Sequence, residues 1–407
     1  MQKGPVLKLS RYAKDAVVLG LFAAIGPFAI DMYLPALPNI AANLHASTAA
    51  TQMTLTLFFL AFGLCQIVYG PISDMIGRKP PLYFGLALFI AGSIGCCLAP
   101  NISWLVGFRF VQGAGAACTM AIPRAIIRDL HTGLEATRLM STIMLVISVS
   151  PILAPLIGSG LIVPFGWRAV FVAVTIAAFV SFALLLLFLP ETRPAEARAP
   201  ISVRGMASGF AQLLTDRRFL GLTFIGGFGM ASFFVFLAMS SFVYMGHFGL
   251  TPTQYSALFA VNAVGFIGSS QFAAKLGGRF GMARVVMGAV SLYAAFALLL
   301  LAVTAAGADS LAVLVALLFC AFACLGLVIP PTMVLALEEH GPLAGLASAL
   351  GGTLQMAAGG VTIALASLVF NGTPLPMVAA IAVCAVGALV LAVATLGRRE
   401  LAPQAAE

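Results

Sequence analysis

The sequence predicts an all-α polytopic membrane protein of about twelve transmembrane helices in two six-helix halves, and three observations predict it. First, 61% of the 407 residues are hydrophobic and 8% are charged. Soluble domains hold about half apolar and a quarter charged residues, so this chain lacks the charge for a hydrated shell. Second, apolar runs recur along its length, each near the roughly 20 residues that cross about 30 Å of hydrocarbon. They fall at about 16–37, 48–72, 80–99, 102–124, 139–163, 167–189, 219–243, 253–275, 284–305, 310–336, 345–369 and 375–396. Third, the basic residues are one-sided. With the N-terminus inside, 19 of the 21, from Lys3 and Lys8 to Arg398 and Arg399, lie on the cytoplasmic side; Arg168 lies outside and Arg109 within a span. This asymmetry predicts an even number of spans with both termini cytoplasmic. The basic stretch before the first apolar run shows no convincing cleavage site and reads as the start of a retained span.

The longest polar stretch, 190–218, carries Pro190, Pro194, Pro200 and five arginines. It divides the chain into an N-terminal half, 1–189, a cytoplasmic linker, 190–218, and a C-terminal half, 219–407. A faint repeat sets Asp74-Met75-Ile76-Gly77, after the second span, against Gly278-Arg279-Phe280-Gly281, after the eighth. Two such halves around a midplane site are a transporter architecture.

Several other classes are excluded. The net charge of +8 forms no basic patch with interleaved aromatics, so nucleic acid is not an expected partner. All seven cysteines fall inside apolar runs, where they read as packed small hydrophobes and not as disulfides or metal ligands. No nucleotide loop, metal cluster or nucleophile–base pair is present, and His45, His131, His247 and His340 all read as loop residues. No cofactor and no enzymatic activity is expected.

Charges inside a membrane are expensive and mark function first. Asp31 lies 17 residues beyond Lys14, roughly 25 Å from the inner boundary, and Arg109 lies roughly 9 Å from the outer one. Both therefore sit in the outer half at similar depth. The expectation is a proton site at Asp31 with Arg109 as partner; a fixed structural ion pair, or direct substrate binding, are the alternatives.

The segment Gly70-Pro71-Ile72-Ser73-Asp74-Met75-Ile76-Gly77-Arg78-Lys79 allows close helix approach at Gly70 and a tight turn at Gly77. It resembles the loop signature between helices two and three of the major facilitator superfamily, in the matching place. The resemblance implies the major facilitator fold and a cytoplasmic lock that steadies the outward-facing state, made by Asp74 and Arg78, with Asp129 as further acidic partner. Leu105 to Ala117, containing Arg109 and Gln112, is similar to the superfamily's fourth-helix motif, whose buried arginine is linked to proton coupling. In span five, Ser150-Pro151-Ile152-Leu153-Ala154-Pro155-Leu156-Ile157-Gly158-Ser159 resembles the antiporter signature, with Ala154 and Ser159 replacing glycines and Pro155 and Gly158 kept. A plain helix kink is the alternative there. Asp31-Met32-Tyr33-Leu34-Pro35-Ala36-Leu37-Pro38, with Gln52 to Leu57, looks like the bicyclomycin-resistance (Bcr/CflA) family of drug:proton antiporters.

That resemblance implies proton-coupled efflux of small amphipathic molecules or antibiotics from a bacterial cytoplasmic membrane, by a chain acting as a monomer. A metabolite exporter, or a proton symporter for uptake, remains open. Expected partners are a small-molecule substrate, protons and the bilayer. Tyr255, Phe259, Asn262 and Phe266 recur on one face of span eight. With Phe236 and Met239 in span seven, Gln355 in span eleven, and Tyr33 and Gln112, they suit an adaptable apolar pocket.

Overall fold

A computed structural model describes residues 11–131, 133–198, 203–308, 310–338 and 340–397. Lys3, Lys8, Arg398, Arg399 and the linker residues 199–202 lie outside them. The described residues form helices and connecting turns, with no strand among them.

Twelve helices or helix pairs are long and apolar enough to cross a membrane: Lys14–Asn43, Thr48–Ile76, Lys79–Leu98, Ile102–Leu130, Arg138–Phe165, Arg168–Phe188, Arg217–His247, Pro252–Phe280, Met282–Ala305, Leu311–Glu338, Ala344–Val369 and Pro374–Leu396. They are spans 1 to 12 below. Their outer faces carry exposed Phe165, Leu186, Leu187, Val361 and Leu368, side chains that only hydrocarbon solvates well.

Polar residues at the turns start the helices. Ser47 accepts from Ala50 N at 3.1 Å, Asn101 from Trp104 N at 3.1 Å, and Thr251 closes a capping box with Gln254. Breaks fall where the chain must change direction. Helix Arg11–Asp31 stops at Asp31, and a short 3-10 turn over Leu34–Ala36 leads into helix Leu37–Asn43. Span 7 ends in a π turn over Phe242–His247, so His247 is helical, contrary to the loop expected. Span 4 outruns its sequence estimate by more than one turn: it continues past Arg124 to Leu130, so Arg124, Arg128 and Asp129 belong to the helix.

The faint repeat is visible in the backbone. Gly77 has φ 100° and Gly281 has φ 87°, the same left-handed turn after spans 2 and 8. Spans 1 to 6 pack mainly on one another, as do spans 7 to 12. Two seams join these groups, span 2 on span 11 and span 5 on span 8. The described residues of the polar connection between them hold a 3-10 turn, Ala195–Ala197, and an α-helix, Val203–Thr215, packed on spans 7 and 11.

Candidate functional site

The two seams are closed at one end of the bundle and open at the other. Near the closed end the rings of Phe59 and Phe234 stack at 4.0 Å between spans 2 and 11's neighbour span 7, and Thr353 Oγ1 donates to Gly63 O at 2.6 Å. Ser256 Oγ in span 8 donates to Pro155 O in span 5 at 2.8 Å. Toward the end that carries Arg78, spans 2 and 11 separate around a cavity of about 530 Å³, lined by Gln66, Gly70 and Asp74 on one side and Leu346, Ser348 and Ala349 on the other.

Asp31 sits at the closed end, 5% exposed. Among the described residues it is the one acid buried away from the ends of a span. It faces Ser150 of span 5, whose hydroxyl has no other partner, and the Tyr255 ring of span 8 lies within electrostatic range. Gly158 makes this approach possible: any side chain there would overlap the carbonyl of Met32. The antiporter-like segment thus lies directly against the break in span 1 after Asp31.

Asp31 and Arg109 do not pair, contrary to the expectation from depth. Arg109 Nη1 donates to Gln112 Oε1 at 2.6 Å and to Ala29 O at 3.2 Å, and its guanidinium lies over the rings of Phe58 and Tyr33 at 4.3 and 4.5 Å. The two do lie at one level along the bundle, since Ala29 is two residues from Asp31. Two residues are about 200° around a helix, so the carboxylate leaves toward span 5 while the arginine meets the opposite face. Arg109 is wholly buried, held by ring faces and two acceptors, with Nε and Nη2 unpartnered.

The lock residues do come together. Arg78, its side chain 4% exposed, donates from Nε to Asp129 Oδ2 at 2.7 Å and from Nη1 to Asp74 Oδ1 at 2.7 Å. Arg193 reaches Asp74 at 3.2 Å, and Thr192 donates to Asp129 at 3.1 Å. Gly77 packs against Glu191. Gly70 has open space beside it at the cavity, not a helix neighbour, which corrects the close approach expected there. Every member of this network belongs to spans 2 to 4 or to the chain just after span 6.

Sequence reading passed over Glu191, which completes the network. Its carboxylate accepts from the backbone N–H groups of Arg78 at 2.9 Å, Lys79 at 3.1 Å and Arg193 at 3.0 Å, at the start of span 3. Burial pushes its pKa up, but the backbone donors outweigh burial and hold it below the usual glutamate range. A lowered folded value stabilises above the unfolded pKa of about 4.3 and is lost as pH falls through the folded value. The melting temperature of Glu191→Gln in detergent should therefore lie below wild type near neutral pH, with the gap closing below about pH 4. A gap unchanged from pH 7 to 3 would remove the carboxylate from this role.

The expected substrate residues fall into two groups. Phe236, Tyr255 and Phe259 form one buried cluster: Phe236 stacks on Phe259 at 5.5 Å, Tyr255 meets Phe259 at 6.0 Å, and Tyr255 Oη lies 3.1 Å from Ser240 Oγ. Met239 is buried in the same segment, and Asn262 Oδ1 and Tyr244 Oη are buried neighbours without good hydrogen bonds. The others lie apart. Gln112 bridges Arg109 and Ser93, Tyr33 is bonded to Thr54, Phe266 stacks on Phe233, and Gln355 packs against the backbone at Gly226 and Gly227. None of the nine lines the cavity beside Arg78, because that cavity opens at the Arg78 end and the cluster packs at the closed one.

Two of the histidines lie in connections between helices, as expected, but are buried and paired there. His131 Nε2, closing span 4, lies 3.1 Å from Asp15 Oδ2 at the start of span 1; His340 Nε2, after span 10, lies 3.0 Å from Asp216 Oδ2 at the start of span 7. An aromatic ring, Tyr12 or Phe219, meets each imidazole edge-on. The signal was present in sequence, one histidine after each of two corresponding spans, but its acidic partners are more than a hundred residues away.

Twelve spans in two packed groups, with a cavity on the seam between them and a buried acid at the closed end, are the architecture of a membrane transporter. Residues 19–363 match the family model of the Major Facilitator Superfamily. The chain is 36% identical over 373 residues to "Uncharacterized MFS-type transporter YdgK" of Bacillus subtilis, covering 91% of this chain and 92% of that protein. It is 31% identical over 378 residues to a "Bicyclomycin resistance protein homolog" of Haemophilus influenzae, covering 91% and 93%. The crystal structure of a D-xylose–proton symporter superposes with a TM-score of 0.72 at 16% identity, over 94% of this chain and 97% of that one. The chain belongs to the major facilitator superfamily, on the bicyclomycin-resistance (Bcr/CflA) branch that its motifs resemble.

Proposed function

We propose that this protein exports small amphipathic molecules, antibiotics among them, in exchange for protons across a bacterial cytoplasmic membrane. The observation that carries the reading is Asp31: a carboxylate buried in span 1 with no cationic partner among the described residues, set against the Ser150–Gly158 segment where the two groups of spans meet. A buried acid with no fixed counter-charge is free to take and release a proton as its surroundings change. The name of the Haemophilus influenzae relative supports drug efflux.

The crowding of basic side chains at the Arg78 end supports a cytoplasmic position for that end. On that assignment the cavity faces inward, ready to receive substrate. The groups 1–189 and 219–407 rock about the two seams, with 190–218 as tether, and a single chain suffices. Proton binding at Asp31 from outside competes with substrate. Arg109 positions the backbone of span 1 through Ala29, while the buried cluster of Phe236, Met239, Tyr255, Phe259 and Asn262 becomes accessible when the outer seam opens. The lock of Asp74, Arg78, Asp129 and Glu191 holds spans 2, 3, 4 and 6 as one body during that motion.

Inside-out membrane vesicles test this. Their lumen corresponds to the cell exterior, so an acidic lumen should drive bicyclomycin or chloramphenicol into it, with proton release measured by a pH-sensitive dye. Accumulation only when substrate and proton move the same way would make the protein a symporter and end the export reading.

A further inference from the structure

Span 4 carries two arginines that no role above uses. Arg124 and Arg128 are four residues apart on one helical face, and both line the cavity between the two groups of spans. Arg78 in the same wall is neutralised by Asp74 and Asp129. Arg124 and Arg128 make no hydrogen bond or ion pair with any described residue, and each lies in the other's field. Two unpaired like charges in a recess repel, and the lining offers one carboxylate, Asp74, already held by Arg78 and Arg193. Across the cavity, the first turn of span 11 adds uncapped backbone N–H groups and no negative charge.

The neighbouring space has a different character. A groove of about 830 Å³ opens between spans 5 and 8 and shares Arg128 and Met140 with the cavity. Its other walls include Ile127, Met144, Leu145 and Ile267. Arg128 stands where the cavity meets this mostly apolar groove, whose polar residues are Ser141, Ser148 and Gln271, and Arg124 lies one turn back in the cavity; a charged pair leading into such a groove is complementary to a molecule with the same two parts.

We infer that Arg124 and Arg128 bind the anionic head, a carboxylate or phosphate, of an amphiphile whose apolar body lies in the groove between spans 5 and 8. Guanidinium pairs bind such groups through charge-assisted, often bidentate hydrogen bonds. The occupant is either a free amphiphile on its way to transport or an anionic lipid headgroup. This deepens the export reading by naming a substrate chemistry, and it uses that reading only to call this face cytoplasmic.

Binding, not transport, tests it, so loss of proton-driven export would leave the result intact. The full chain is placed in phosphatidylcholine nanodiscs and titrated with a fluorescent undecanoic acid and with its neutral amide, against empty discs. Wild type should bind the carboxylate about tenfold or more tightly than the amide. Arg124→Gln with Arg128→Gln should erase that preference and leave amide binding unchanged. The double lysine variant should keep part of it, and Arg279→Gln, a basic residue at the same end outside the cavity, should keep all of it. Single Arg128→Gln, at the exposed helix end, serves if the double variant misfolds, and should reduce the preference. Equal affinity for the two probes in wild type overturns the inference, as does a double variant with full preference or one that loses both probes alike. Phosphatidylglycerol in the discs separates the sources. Competition against the carboxylate in wild type alone identifies a lipid headgroup, and no competition identifies a free amphiphile.

Discussion

Asp31→Asn is expected to give a folded transporter that cannot pump, with proton-driven export lower by on the order of a hundredfold or more. Asparagine keeps the shape of the side chain and its reach toward Ser150, so the packing of span 1 on span 5 should survive. It cannot gain or lose a proton in the working range, which removes the coupling and leaves the conformational change. Counterflow of substrate down its own gradient should therefore persist while accumulation driven by a pH gradient disappears. Reconstituted vesicles measure both on one preparation. Pumping at the wild-type rate by Asp31→Asn would show that the proton travels elsewhere, and loss of counterflow as well would show that the residue is needed for structure or substrate.

The fold was legible because it rests on composition and on local motifs. Twelve apolar runs, the Gly77 turn and the polar stretch after span 6 are each contained in a few tens of residues, and hydrocarbon leaves the backbone little choice but helix. Depth was legible too: a residue count placed Asp31 and Arg109 at one level, and Arg109 does reach the backbone of span 1 at Ala29. Direction around the helix was not. Whether a side chain at position 31 meets span 4 or span 5 depends on the rotation of span 1 among its neighbours, which Gly158 fixes from another helix. Polar partners distant in sequence were invisible for a similar reason, as with Glu191 on Arg78 and the two histidines on Asp15 and Asp216. The substrate residues show a third limit. Phe236, Tyr255 and Phe259 share a face and do meet, but which end of the bundle is open is a property of the conformation and has no local signature.

Gly158→Val should abolish transport by preventing the outer seam from closing, with a drop on the order of a hundredfold and little loss of protein from the membrane. A side chain at position 158 would occupy the space of the Met32 carbonyl, a backbone atom that no rotamer change can move aside. Span 5 must then stand away from the break in span 1, and its contacts to span 8 go with it, among them Ser256 on Pro155. The control lies two residues further along the same helix. Gly160 has nothing within reach of an added side chain, so Gly160→Val should transport normally and shows what a β-branched residue alone does to span 5. Accessibility supplies the readout. Ser256 is wholly buried at the closed seam. In a background with the seven native cysteines replaced, Ser256→Cys should resist a membrane-impermeant thiol reagent applied from outside, and should react readily once Gly158→Val is added. A Gly158→Val protein that transports, or that keeps position 256 protected, would mean that this contact between spans 1 and 5 is not what seals the outer face.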